Sequence, residues 1–526
     1  MKLPNEERLI GPPGCGKTTT LASILAYNAK QYGSDSVIAV SHTKAAAAEI
    51  VGRKTMLPKD NVGTLHSFAF QALNNPTIAE DTAHLREFAD SSRYQFSGCN
   101  DVEELEFTAS GSGDGDILLS EYGRLRNMCI SRDFWQSDVL SFAKEWEAYK
   151  TSTETMDFAD LIERAALDTS APYQEPNVIC LDEAQDTSRL QWQLLNKWGQ
   201  QCEKIVTCGD VDQTIYGWAG ADVNYFLENK PARQKVLEQS YRVPIAIHSF
   251  AQSWVRQIKN REDVVYKPRD YPGEVLQNNA TFKQPGNLLH LIEDALENNK
   301  TIMLQASCEF MLKPLITILR KEGLPFANPW RKKHGGWNPL QKRKTVNGLI
   351  EFLKPQLTGT LWDKQSYEKW LVLVKGLFKR GGRETFLQNA LTIHTPDELF
   401  EQLSRHIENE EDLSMMLTGL PHCTDWLYSK LLAANKGPAE YPLRCVEQRG
   451  IEAIHNEPKI YVGTCHSFKG SEADIVVLFP DLSTQGYNEY IGNGFDETIR
   501  LFYVGITRAR ETLHLCAPAT RCAVWG

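Results

Sequence analysis

The chain has 526 residues, 42% of them hydrophobic and 24% charged, with a net charge of −10; this is ordinary globular composition, with room for about three or four domains. Twelve cysteines without a C-x-x-C pair or a Cys/His ladder argue against a disulfide scaffold or a zinc ribbon and for buried, reduced thiols. The opening MKLPNEERL lacks an apolar targeting core and no run of 18 apolar residues occurs, so a soluble, cytoplasmic chain without a membrane segment is expected.

In chain order, the first element is a short apolar strand in ERLI, followed by GPPGCGKTTTLASIL. Gly11, Gly14, Gly16, Lys17 and Thr18 stand at the spacing G-x-x-x-x-G-K-T, and a helical pattern begins at once. Glycines let backbone N–H groups turn inward around phosphate oxygens, and the helix N-terminus adds its positive end. Lys17 would neutralise β/γ charge and Thr18 would reach Mg²⁺. Pro12, Pro13, Cys15 and Thr19 complete the expected nucleotide-binding loop.

Residues 97–116 carry six acids and no Lys or Arg among Gly and Ser, which reads as a surface insertion. The apolar run NVICLDEAQD (177–186) then predicts a strand ending in Asp182 and Glu183, in the order of a metal-side carboxylate followed by a base that positions water. Next come KIVTCGD and the loop GDVDQTIYGWAGAD (209–222), whose acids, glutamine and aromatics have no core-forming periodicity. Gly217 and Gly220 favour an exposed turn around Trp218. Further on, 301–326 reads as strand, helix and strand start, and basic residues cluster at 330–344 and 375–383. A second set of β-rich runs, KIYVGTC, DIVVLFP and TLHLCAP, follows residue 458. Strand-like runs alternating with helical stretches predict an α/β fold with parallel sheets, and two groups of them predict two sheets.

With these segments in order, the chain resembles the UvrD/Rep/PcrA-like group of superfamily 1 helicases. The matching segments are GPPGCGKT, AVSHTKAAAAEI, GTLHSF, MDFADLI, LDEAQD, GDVDQTIYGWAGAD, QSYR, VGTCHSFKGSEADIVVL and RLFYVGITRAR. The resemblance implies two RecA-like P-loop NTPase lobes, each with a mainly helical insertion. The first lobe would take 1–68 and 157–250 with an insertion at 69–156. The second would take 251–355 and 445–526 with a reduced insertion at 356–444.

The resemblance also implies roles. Gln213 and Arg242 would contact the γ-phosphate, Arg508 would act as an arginine finger, Tyr241 would stack on the base, and Glu472 would lie near the ribose. Tyr216 and Trp218 would face single-stranded nucleic acid, where an aromatic face gains about 1–3 kcal/mol per stacked base without sequence preference. His66 and His466 are candidate nucleic-acid contacts, and Thr43 and Thr64 are candidate hydroxyl donors to the phosphate backbone. Only ten residues precede Gly11 and none is Gln, so the adenine-reading glutamine of the family is missing and a loose nucleobase preference is expected. The implied activity is Mg²⁺/ATP-dependent 3′ to 5′ movement on DNA with unwinding of tailed duplex, by a monomer, in repair or replication. A translocase that strips proteins without unwinding, and a nucleotide-dependent switch subunit of a larger assembly, remain as alternatives.

Overall fold

The computed structural model describes residues 5–42, 55–96, 113–332, 334–341, 343–358, 362–389, 393–418 and 424–525. Two compact units divide it: residues 1–275 with 482–513, and residues 276–481 with 514–526.

The first unit is built on a six-stranded sheet of β1 (Glu6–Ile10), β2 (Val37–Val40), β3 (Val62–Gly63), β4 (Val178–Leu181), β5 (Lys204–Gly209) and β6 (Arg233–Val236), in the order β3-β2-β4-β5-β1-β6. All five pairings are parallel. Parallel strands are covered on both faces, so they need continuous apolar runs, which VIAV, VICL and IVTC provide. Successive side chains then part to opposite faces. Leu9, Val37, Ala39, Val178, Cys180, Val206 and Cys208 join one core, with Leu21 and Leu25 of helix α1 (Lys17–Tyr32). Ile10, Ile38, Val40, Ile179, Leu181 and Ile205 join the other. That second face is closed by α2 (Leu65–Ala72), by α5 (Phe158–Asp168) and by α6 (Arg189–Gly199).

Between α2 and α5, helices including α3 (Asp114–Asn127) and α4 (Ser137–Thr153) gather around a separate aromatic core of Phe88, Tyr94, Tyr122, Phe142 and Trp146. A buried ionic hub ties these helices to α5. Lys150 of α4 meets Asp157 and Asp160 at 2.5 Å each, and Arg126 of α3 meets Asp157 at 3.1 Å, Asp160 at 2.7 Å and Glu163 at 2.5 Å. Asp157 also caps α5 through the Asp160 N–H and accepts from the Trp146 indole. The short strand β7 (Gln239–Pro244) pairs in parallel with β8 (Lys267–Arg269), and α7 (Phe495–Ile506) completes the unit.

Another six-stranded sheet holds β9 (Glu274–Asn278), β10 (Ile302–Ala306), β11 (Phe326–Ala327), β12 (Ile460–Thr464), β13 (Ala473–Leu478) and β14 (Ala509–Cys516) in the order β11-β12-β10-β13-β14-β9, of which β10 to β13 lie wholly in the second unit. β10 runs parallel to both β12 and β13. The described residues between 344 and 455 are largely helical and have a core of their own, including Phe352, Trp362, Trp370, Phe386 and Leu443. The protein is thus a mixed α/β chain with parallel pairing in both sheets. Among the described residues no helix is long and apolar enough to cross a membrane. Cys15, Cys180, Cys202, Cys208, Cys445, Cys465 and Cys516 are buried.

Candidate nucleotide and strand-binding site

The phosphate cradle leaves β1 and is tied to β5 by the Gly11 N–H donating to Gly209 O at 3.0 Å. At Gly11 the Lys17 side chain packs where a Cβ would be, 2.0 Å from its Cγ, and Lys17 Nζ donates to Gly11 O at 2.7 Å. Gly14 has φ +72°, and a Cβ there would lie 2.4 Å from Arg242 Cβ and 2.8 Å from Ser240 Oγ. That closeness is the mark of a clasp. Ser240 Oγ donates to Pro13 O at 2.7 Å, and the Tyr241 N–H donates to Gly14 O at 2.9 Å. QSYR therefore grips the cradle through its backbone and Ser240, which leaves the Tyr241 ring 71% exposed beside it. Such a face suits stacking on a base.

Lys17 opens α1, and three carboxylates surround it. Burial works against its charge, but Glu183, Asp210 and Asp182 hold its pKa above the ordinary value. Asp182 directly follows β4, buried, with its carboxylate accepting the Glu183 N–H at 3.0 Å. Glu183 has the left-handed φ of +51°, a conformation that costs a non-glycine residue energy and concentrates at functional sites. From Glu183 a polar chain crosses the sheet ends. Gln185 Nε2 donates to Glu183 Oε2 at 2.6 Å, and its Oε1 accepts the Asp210 N–H at 3.0 Å. Gln213 Nε2 donates to Asp210 Oδ2 at 2.5 Å, and Arg508 Nη2 donates to Gln213 Oε1 at 2.9 Å. Burial pushes the Asp210 carboxyl above its usual range, with Lys17 opposing. Behind it, Asp212 is raised to about 6 by burial and Asp210, against its pairing with Arg261 at 2.7 Å.

Lys17, Asp182, Glu183, Gln213 and Arg508 thus meet in one unit, with Arg508 fully buried just after α7, its Nε on Val504 O at 2.8 Å. The donor set fits a nucleotide with Mg²⁺: backbone N–H groups and Lys17 for phosphates, and the Thr18 hydroxyl and Asp182 for the metal. The concentration of acids around one lysine adds a negative field that a divalent cation would offset.

The aromatic loop differs from the expected exposed pair. Tyr216 is only 5% exposed, packed with Ile215 and Val504, its ring 5.0 Å from His42. Trp218, in the turn Gly217–Ala219, is half-buried with its ring 6.1 Å from Tyr216. The turn is wedged by its neighbours: Asn127 of α3 donates to Ala219 O at 3.3 Å, and the Glu497 carboxylate of α7 lies where a Gly217 Cβ would be, 2.7 Å away. Thr64 caps α2 by accepting the Ser67 N–H at 3.2 Å, which leaves its own O–H to donate elsewhere. His66 lies 5.6 Å from the Phe158 ring, and burial lowers its pKa to about 4, so it is neutral at physiological pH. Thr43 lies outside the described residues.

In the second unit His466 is half-buried and Glu472 precedes β13. The turn holding His466 copies the one holding His66. GTLHSF and GTCHSF differ only at Leu65 and Cys465, and in both the Ser Oγ donates to the Thr carbonyl at 2.7 Å. This repeat is legible in the sequence once the two halves are aligned. Asp210, Gln185 and Ser240 are the site residues that motif reading missed; the signal for Asp210 is its position as an acid just before a turn, where its carboxylate accepts the Asp212 N–H at 3.1 Å.

The AAA domain model matches residues 6–219 and the UvrD-like helicase C-terminal domain model matches 459–516. Both matched regions, at the two ends of the chain, make it similar to UvrD/PcrA-like superfamily 1 helicases. Its relatives include the ATP-dependent DNA helicase PcrA of Leuconostoc citreum, 26% identical over 255 residues that make up 44% of this chain and 34% of the relative. The PcrA of Staphylococcus epidermidis is 24% identical over 65% of this chain and 50% of the relative. A probable DNA helicase II homolog of Mycoplasma genitalium is 22% identical over 96% of this chain and 81% of the relative. The matched part spans a third to a half of the two PcrA relatives.

Proposed function

We propose that this chain hydrolyses ATP and uses the energy to move 3′ to 5′ along single-stranded DNA, separating duplex ahead of it. The observation that supports this most is the hydrogen-bonded path from Glu183 through Gln185, Asp210 and Gln213 to Arg508, because Gln213 belongs to the same loop as Trp218. A change at the γ-phosphate would be felt at that loop within five residues of backbone. Mg²⁺, held by Thr18 and Asp182, would supply charge neutralisation at the β/γ-phosphates. Lys17 and Arg242 bind phosphate, Glu183 orients the attacking water and takes its proton, and Arg508 stabilises the charge that develops on transfer. Tyr241 offers its exposed ring to the base, and Glu472 lies on the ribose side.

In this reading residues 1–68 with 157–250 form one RecA-like lobe and 251–355 with 445–526 the other, with insertions at 69–156 and 356–444. Trp218, Tyr216, Thr43, Thr64, His66 and His466 attend the strand, and the protein acts as a monomer on tailed duplex. Unwinding of 3′-tailed, 5′-tailed and blunt duplexes tests the reading. Only the 3′-tailed substrate is expected to open; preference for the 5′ tail would overturn the polarity. DNA-stimulated hydrolysis without opening of any duplex would point instead to a translocase that displaces proteins.

A further inference from the structure

Next to Gln213 in the chain, Asp212 is 5% exposed and carries a carboxylate that the phosphate chemistry does not use. Arg261, from the segment between β7 and β8, holds it in a fork: Nε donates to Oδ1 at 3.2 Å and Nη2 to Oδ2 at 2.7 Å. Two parallel bonds of this kind fix direction as well as distance. The same turn is tied to Asp210, whose carboxylate accepts the Asp212 N–H at 3.1 Å and the Gln213 amide at 2.5 Å. Movement of Asp212 is thus carried to Gln213.

A second cation faces this carboxylate from α7. Arg500 is 3% exposed and within electrostatic reach of Asp212; its Nη2 donates to Asn260 O at 2.6 Å, while its Nε meets no hydrogen-bonding partner among the described residues. The Asp496 carboxylate, also on α7, accepts the Lys259 and Asn260 N–H groups at 3.0 and 3.1 Å. α7 is therefore clamped to the segment that carries Arg261, and just past its end stands Arg508, on the Gln213 oxygen. Two routes to Gln213 meet at Asp212. Its charge is kept there against the balance of its surroundings, because burial and Asp210 raise its pKa to about 6 although Arg261 and Arg500 oppose them. A buried anion that its setting disfavours is a poor brace for the fold and points to a use in the adjacent chemistry.

We propose that Asp212 is a positioning residue: its ionised carboxylate, gripped by Arg261 and faced by Arg500, fixes the turn Val211–Gln213 so that Gln213 presents its amide to the γ-phosphate and to Arg508. The inference rests on the hydrolysis reading given above. On protonation the carboxyl loses one acceptor of the fork and its attraction for Arg500, and the turn loses its fixed direction. The charged or titratable groups around it are Asp210 on the same turn, Arg261 with Asp263 at 3.4 Å on its other edge, and Arg500 and Tyr503 of α7. Burial raises Asp210 as well, so the acid limb of activity belongs to the pair, and a substitution at Asp212 assigns its share.

The pH profile of steady-state ATP hydrolysis by the purified full chain, with saturating single-stranded oligonucleotide, tests this in the parent and in Asp212→Asn. Parent kcat is expected to be level above about pH 7 and to fall about tenfold toward pH 5 as the anion is lost; a level profile down to pH 5 would overturn the proposal. Asp212→Asn keeps the size of the side chain without its charge. Its kcat is expected to be about tenfold lower at pH 7.5, with KM for ATP within about twofold of the parent and a further decline of less than about twofold by pH 5. Its urea midpoint at neutral pH should be no lower than the parent's. Full kcat in the variant, or a reduced kcat that keeps the parent's acid limb, would overturn the proposal while leaving hydrolysis intact; so would a lowered urea midpoint, which marks a structural brace. Arg500→Gln gives a second reading should Asp212→Asn not fold: with one cation removed, the acid limb should move up by about half a pH unit or more, and a limb that stays in place overturns the proposal. If the parent hydrolyses no ATP at any pH, the proposed function itself falls, and the positioning role with it.

Discussion

Gln213 is the residue on which both ends of the polar path converge: its amide nitrogen holds Asp210 and its amide oxygen holds Arg508. Neither a carboxylate nor an apolar isostere can make both contacts, because only the amide carries a donor and an acceptor. Gln213→Ala is therefore expected to lower oligonucleotide-stimulated ATPase by about 10- to 100-fold, the range of a lost charge-assisted contact in the transition state. Nucleotide affinity, measured with a fluorescent analogue, should change by less than about threefold. Lys17→Ala, by contrast, should abolish hydrolysis outright. His66 makes a different prediction. Its folded pKa is about 4 against 6.5 for an unburied imidazole, so the unfolded chain takes up the proton first as pH falls. Stability from this group is complete above about pH 6.5 and declines toward pH 4. Urea midpoints at pH 7 and pH 5 should differ less in His66→Phe than in the parent.

At the scale of elements, the cradle depends on β7 as much as on its own glycines. Gly14→Ala would drive a methyl group into Arg242 Cβ and force a side chain into a left-handed backbone, so nucleotide binding should fall at least tenfold in a titration with a fluorescent analogue. The hub joining α3, α4 and α5 makes a stability prediction. Lys150→Met leaves Asp157, 1% exposed, short of a cation, and breaking such a pair costs about 3–5 kcal/mol, read as a shift in urea unfolding. The cradle, the Asp182–Glu183 strand end and the alternation of strand and helix were legible in the sequence, because phosphate chemistry and two-sided burial each demand residue types at fixed spacing. What was not legible joins distant positions. Ser240 meets Pro13 across 227 residues and Arg508 meets Gln213 across 295, and no local pattern announces either contact. The burial of Tyr216 was hidden for the same reason, since Val504 covers it from a helix far along the chain.

For the whole molecule, the claim is that fuel and track share one loop. Residues 209–222 hold the end of β5, Asp210, Gln213 and Trp218, so in the proposed function the residue at the phosphate and the residue at the base are separated by a few peptide units. Movement follows only if each changes the other, as any coupling between two sites must be reciprocal in free energy. Trp218→Ala should consequently weaken stimulation by DNA while leaving nucleotide affinity near that of the parent. The most direct measurement is the steady-state rate of ATP hydrolysis by the purified full chain, with and without saturating single-stranded oligonucleotide. A rise of at least tenfold on adding the strand is expected; identical rates in its presence and absence would contradict the coupling.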